Sequence, residues 1–144
     1  MKKLFILLIC LTAMLSIGCS GERQINGRTS KLAFKSVRVM KEYLPKHQKL
    51  EFEIAFWTMK NGFEKNSEFL DAVDGNTSAE LIAAGKAKFG ELQESGRPEY
   101  TKFSNWDAMI KSYEDERFEQ DMNQKKDKDQ LQKESMNNVL YDLH

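Results

Sequence analysis

Apolar residues recur at helical spacing in separate stretches of the chain, each closed by a break. The first such stretch predicts a helix from about Ser30 to Tyr43, with Thr29 or Ser30 as its N-cap. Ala33, Val37, Met40 and Leu44 fall at i, i+4, i+7 and i+11, and Phe34 widens the stripe. Pro45 ends this helix and suits the first turn of the next.

The second predicted helix, about Lys46 to Gly62, carries two apolar faces. At about 100° per residue, Leu50, Ile54 and Trp57 share one side, and Phe52, Phe56, Met59 and Phe63 share nearly the opposite one. Lys49, Glu51, Glu53, Thr58 and Lys60 fill the seams. A helix apolar on both sides is normally sandwiched between others, which makes this one a central core helix. The sharper alternative is that the Phe52, Phe56, Met59 and Phe63 face is a groove for a partner or ligand.

Phe69, Leu70 and Val73 mark a short helical turn, and Asp74-Gly75-Asn76 is a turn signal. Thr77-Ser78-Ala79-Glu80 reads as a capping box that opens a third main helix, about Ser78 to Glu94. Its stripe is Leu81, Ile82, Gly85, Phe89 and Leu92. A glycine there costs about 1 kcal/mol against Ala, so close approach of another helix is its expected role. Ser95-Gly96-Arg97-Pro98 breaks the chain before a fourth helix, about Ser104 to Arg117, with Trp106, Met109, Ile110 and Tyr113 on one face. From Glu114 to Glu134 only Phe118, Met122 and Leu131 are apolar, with acid leading at 114–121 and base following at 125–128. Residues 114–144 are therefore a charged helical extension or a disordered tail, whose last apolar residues (Val139, Leu140, Tyr141, Leu143) can dock back or meet a partner. With no hairpin signal and no repeat, the expected fold class is all-α: a small bundle of about four helices spanning 29–113.

The N-terminus follows a different pattern. Lys2 and Lys3 precede an uncharged run of 14 residues, Leu4 to Ile17, too short for the ~20 residues of a membrane-spanning helix and suited to a cleaved export signal, 1–18. The ending Leu15-Ser16-Ile17-Gly18-Cys19 resembles the lipobox of bacterial lipoproteins. That resemblance implies cleavage between Gly18 and Cys19, a diacylglyceryl thioether on the Cys19 thiol and acylation of the new amine. Two or more acyl chains, at ~0.8 kcal/mol per buried CH₂, hold a protein firmly to a membrane. Ser20 in place of Asp implies, by the same resemblance, an outer-membrane destination facing the periplasm. Residues 19–28 then form the lipidated Cys and a polar tether, on which Ile25 can dock against the domain.

Charge and cysteine usage narrow the function classes. Lys+Arg and Asp+Glu stand at 22 each; removing Lys2 and Lys3 leaves 20 against 22, or −2, which gives no electrostatic reason to expect nucleic acid as a partner. Of the 2 cysteines, Cys10 lies in the expected signal and Cys19 carries the expected lipid, so none remains for a disulfide, metal or nucleophile.

Catalytic and cofactor motifs are thin. His47 and His144 sit in no metal spacing, and no GxSxG, GxxxxGK[ST] or GxGxxG occurs. Asp71, Asp74, Asn76 and Glu80 invite a calcium loop. Counted from Asp74, however, position 6 is Ala79 where Gly is required and position 12 is Gly85 where Glu is required, so a turn and a cap explain these residues. Trp57, Trp106 and the phenylalanines at 52, 56, 63 and 69 are of types that stack on sugars, but at helical spacing they read as core. No enzymatic activity, cofactor or metal is expected.

The lipobox, Ile25-Asn26-Gly27, Met40-Lys41-Glu42-Tyr43-Leu44-Pro45, Phe52-Glu53-Ile54-Ala55 and Asp74-Gly75-Asn76-Thr77-Ser78-Ala79-Glu80-Leu81-Ile82-Ala83-Ala84 together resemble a family of small bacterial lipoproteins of unknown function. The likeness covers roughly residues 19–94 and not 97–144. It implies a fold and a location and supplies no mechanism. The expected function is that of a lipid-anchored envelope protein that binds another envelope macromolecule. The alternative is a carrier of a lipid or small apolar ligand, with its pocket along helix 46–62.

Overall fold

The computed structural model describes residues 22–141, with side chains described as far as residue 131. The expected signal 1–18, Gly18, Cys19 and Ser20 lie outside the described residues, as does His144. Among the described residues the chain is entirely helical, without strands. The helices are α1 (Ser30–Tyr43), α2 (Lys46–Asn61), α3 (Asn66–Val73), α4 (Ser78–Glu94), α5 (Pro98–Thr101) and α6 (Trp106–Tyr141). Six helices replace the expected four or so. Asn66–Val73 forms two turns of helix in its own right, and the Ser95–Pro98 break holds a single further turn with Pro98 in its first position.

Local chemistry explains the boundaries. Thr29 is the N-cap of α1, its hydroxyl accepting the Leu32 amide at 3.2 Å. Pro45 is the N-cap of α2 and so stands one residue before the position expected for it. The capping box of α4 is complete: the Thr77 hydroxyl accepts the Glu80 amide, and the Glu80 carboxylate accepts the Thr77 amide at 2.8 Å. These bonds hold the fully exposed Glu80 carboxyl below its ordinary value, the Thr77 amide contributing most. Gly96 closes α4 with φ +75°, a left-handed cap that lets the Arg97 amide reach back to the Leu92 carbonyl at 3.2 Å.

α2 is the central element, touching α1, α3, α4 and α6, with its most extensive packing against α4. At the α2–α4 contact a Cβ on Gly85 would lie 2.7 Å from both Cα and Cβ of Ala55, so the two backbones meet here as closely as the sequence pattern implied. Phe56 stands edge-on to Phe34 of α1 and Phe69 of α3, at centroid separations of 5.3 Å for each. Ile25 is buried, with its amide bonded to the Asn76 carbonyl at 3.0 Å and its carbonyl accepting the Gly75 amide at 2.8 Å. The polar stretch before α1 is thus pinned to the domain at Ile25, and Arg23 before it lies over the Tyr43 ring at 3.4 Å. Asp74 accepts the Gly27 amide, and Asn76 donates to the Ala72 carbonyl, so both side chains serve the turn.

α6 is helical as far as Tyr141. Trp106 and Met109 are buried, whereas every residue from Tyr113 to Leu131 is exposed. Val139, Leu140 and Tyr141 belong to the helix, with side chains outside those described; Leu143 lies beyond the described residues. No described helix is long and apolar enough to cross a membrane.

Candidate functional site

The two apolar faces of α2 have different fates. Phe52, Phe56 and Met59 are fully packed core, at 0%, 1% and 4% exposure, and Phe63 is half-buried with the Lys88 ammonium 4.5 Å from its ring centre. This side, singled out from the sequence as a partner or ligand face, is therefore closed. α1, α3 and α4 bury Phe52, Phe56 and Met59, and only shallow surface depressions reach this side, one at the edge of Phe56 and one at Phe63.

The open side is the opposite one. Leu50, Ile54 and Trp57 line a cleft of about 380 Å³ together with Thr58 and Asn61 of α2, Glu99 and Tyr100 of α5, and Met109, Tyr113 and Arg117 of α6. Leu50, Ile54, Tyr100 and Met109 are buried and make the apolar floor. Trp57 (46% exposed) and Tyr113 (37% exposed) stand on the rim. Two aromatic rings on the rim over an apolar floor, with Asn61, Glu99 and Arg117 at the edges, suit a binding cleft.

Ion pairs and hydrogen bonds fix the walls. Glu53 accepts from Lys41 Nζ at 2.6 Å and from Arg117 Nη2 at 2.9 Å, clasping α1, α2 and α6 at one end of the cleft. Arg97 Nη1 donates to the Asn61 carbonyl at 2.6 Å, tying the start of α5 to the end of α2. Gln93 Nε2 donates to the Phe103 carbonyl at 2.7 Å and steadies the loop that follows α5. Beneath it, Trp106 Nε1 donates to Glu51 Oε1 at 2.9 Å, and Lys86 pairs with the same oxygen at 3.0 Å. Phe89 packs edge-on to both Tyr100 and Trp106.

Burial alone would raise the carboxyls of Glu51 and Glu53. For Glu51 the Trp106 and Lys86 hydrogen bonds outweigh it, and for Glu53 those of Lys41 and Arg117, so both end below their ordinary value of 4.5. A carboxylate held ionised in this way acts as an acceptor and cross-link, not as a proton donor near neutral pH. The folded state thus takes up these protons less readily than the unfolded chain. The stability they contribute is present above about pH 4.5 and is lost as pH falls through their lowered folded values. Urea unfolding midpoints are expected to fall from about pH 6 to about pH 3. Glu53→Gln should flatten that dependence, and an unaltered slope in the variant would show the clasp to be unimportant.

Of the residues with sugar-stacking character, only Trp57 presents an exposed ring, and it packs against Phe34 and Phe56 on its inner side. Phe52, Phe56, Phe69 and Trp106 are buried. The sequence pattern identified the Leu50, Ile54 and Trp57 stripe but gave no sign that it would stay partly open. The missing partners Tyr100, Tyr113 and Arg117 come from later helices whose placement no spacing rule reveals. Compared with known proteins, the chain matches no protein-family model, no curated protein and no solved structure.

Proposed function

We propose that this protein is a lipid-anchored envelope lipoprotein without enzymatic activity that works by binding another envelope macromolecule. Its location rests on the lipobox-like ending at Cys19, with a thioether-linked lipid and an acylated amine (palmitate among the acyl groups) as the anchor. Ser20 favours the outer membrane, facing the periplasm. The likeness to small bacterial lipoproteins of unknown function supports the same placement.

The observation that carries binding is the cleft along α2, where Trp57 and Tyr113 remain half in solvent above a buried apolar floor. Exposed aromatics beside a desolvated pocket are the residue types that dominate protein interfaces. In-cell crosslinking followed by pull-down is expected to recover one macromolecule with the wild type and roughly tenfold less of it with Trp57→Ala. Equal recovery by both, or repeated failure to recover a specific partner, would count against the reading.

The same cleft supports a second reading, a carrier of a lipid or small apolar ligand, because its volume of about 380 Å³ suits such a molecule. The carrier's pocket then lies on the Leu50, Ile54 and Trp57 side, since the Phe52 and Phe56 side is packed. Organic extraction of the purified protein followed by mass spectrometry separates the two: a stoichiometric apolar molecule favours the carrier.

A further inference from the structure

The side of α1 turned away from the core joins an apolar stripe to a basic flank. At about 100° per residue, Leu32, Val39 and Tyr43 fall within about 40° of one another and about 110° from the core positions Ala33, Val37 and Met40. They are 36%, 41% and 65% exposed. Lys31, Lys35 and Arg38 are exposed along one border of that stripe, and Glu42 is the one acid of α1. From Arg23 to Lys46 the chain carries seven basic residues against that single acid, although the whole chain is formally neutral. Lys41 is taken up by Glu53, whereas Arg28, Lys31, Lys35 and Arg38 form no ion pair among the described residues. A helix that sets exposed apolar residues beside unpaired cations has the chemistry of a surface that lies on anionic phospholipid.

The chain that leads to Cys19 leaves from the same side. Arg23 lies over the exposed Tyr43 ring, 3.4 Å from its centre, and the Asn26 amide donates to the Ser36 hydroxyl at 3.1 Å. Residues 23–26 therefore run along α1 at the other border of the stripe. Cys19 is three residues from Glu22, a reach of at most about 11 Å. A lipid on Cys19 brings the Tyr43 end of α1 to the headgroup layer and leaves the domain little room to stand off.

We propose that α1 docks on the anionic phospholipid surface of the membrane that holds the Cys19 lipid, with Leu32, Val39 and Tyr43 in the headgroup layer and Lys31, Lys35 and Arg38 on its phosphates. The proposal rests on the lipid anchor and adds an orientation to it. α1 and α4 pack on nearly opposite sides of α2, through Glu53 and Phe56 on one side and Glu51 and Ala55 on the other. α4 is thus the layer farther from the membrane. No residue of α1 lines the cleft between α2, α5 and α6, which stays open to a partner. Acyl chains and exposed cations are two separate signals, and salt weakens only the second.

The processed, lipidated chain, purified from cell membranes and reconstituted into phosphatidylglycerol vesicles, tests this with an environment-sensitive nitrobenzoxadiazole dye. Cys10 leaves with the expected signal and Cys19 is blocked by its lipid, so the dye reports only an introduced cysteine. At Val39→Cys its emission should shift to the blue and be quenched by doxyl-labelled lipid. At Glu94→Cys, at the end of α4, it should emit as in water. Lys31, Lys35 and Arg38 changed together to Glu should lower the quenching at Val39→Cys roughly tenfold, with flotation on the vesicles and thermal unfolding unchanged. High salt should lower it in the same way with the natural charges in place. A chain that does not float with the vesicles overturns the anchor and this proposal together. A floating chain whose Val39→Cys dye stays in water, shifts without being quenched by lipid, or is quenched equally in the charge variant or in high salt overturns the docking of α1 alone.

Discussion

Phe56→Ala is expected to destabilise the domain by about 3–5 kcal/mol, the range for removing a large aromatic side chain from a packed core. Phe56 is 1% exposed and lies against Phe34, Trp57 and Phe69 at once. These rings come from three helices, so a cavity at this point cannot be filled by moving one of them alone. Domains of this size have only about 5–15 kcal/mol in total, so the variant should sit close to unfolding at room temperature. The neighbouring Trp57→Ala, on the cleft rim, should cost far less. Urea titration of both variants checks the ordering; equal losses would mean that the two faces of α2 are not distinguished as described.

Two glycines of one helix should respond with opposite signs. A Cβ at Gly85 would overlap the Ala55 backbone, so one of the two packed helices would have to shift. Gly85→Ala should therefore destabilise by about 1–3 kcal/mol through overpacking, in spite of the better helix propensity of Ala, and Gly85→Val by more. At Gly90 nothing lies within 4 Å of the added carbon, so Gly90→Ala should gain up to about 1 kcal/mol from propensity. Thermal unfolding of the two single variants measures both. A stabilised Gly85→Ala would show that α2 and α4 are not in contact at Ala55.

Much of this fold is legible in the sequence because its breaks have unambiguous chemistry. Thr29, Pro45, the Thr77–Glu80 box and Gly96 each act on backbone groups within a few residues, so they set helix ends whatever the tertiary structure does. The extra turn at Pro98–Thr101 was hidden because a single helical turn is too short to show periodicity. The site was less legible. The sequence shows that α2 has two apolar faces, but which one is covered depends on where α1, α3, α4 and α6 lie. The Phe52, Phe56 and Met59 face is the more aromatic, and it attracted the binding reading for that reason. It is buried for the same reason, since its large rings provide much apolar area to remove from water.

Charge patterning was informative in another way. The acid-then-base order of 114–128 shows a solvated segment but not its conformation. In the structure this segment continues α6, so one face of a helix presents both charge blocks together with Phe118 and Met122. Helix geometry turns a compositional asymmetry into a surface.

The account as a whole depends on attachment at Cys19, since an anchored domain that works by contact has a reason to display an open cleft beside a membrane. Metabolic labelling with radioactive palmitate, followed by separation of membrane and soluble fractions, compares the wild type with Cys19→Ser. The account predicts label and membrane partitioning for the wild type, and an unlabelled, released or mislocalised Cys19→Ser chain. Equal partitioning of the two proteins, with no label on either, would contradict it.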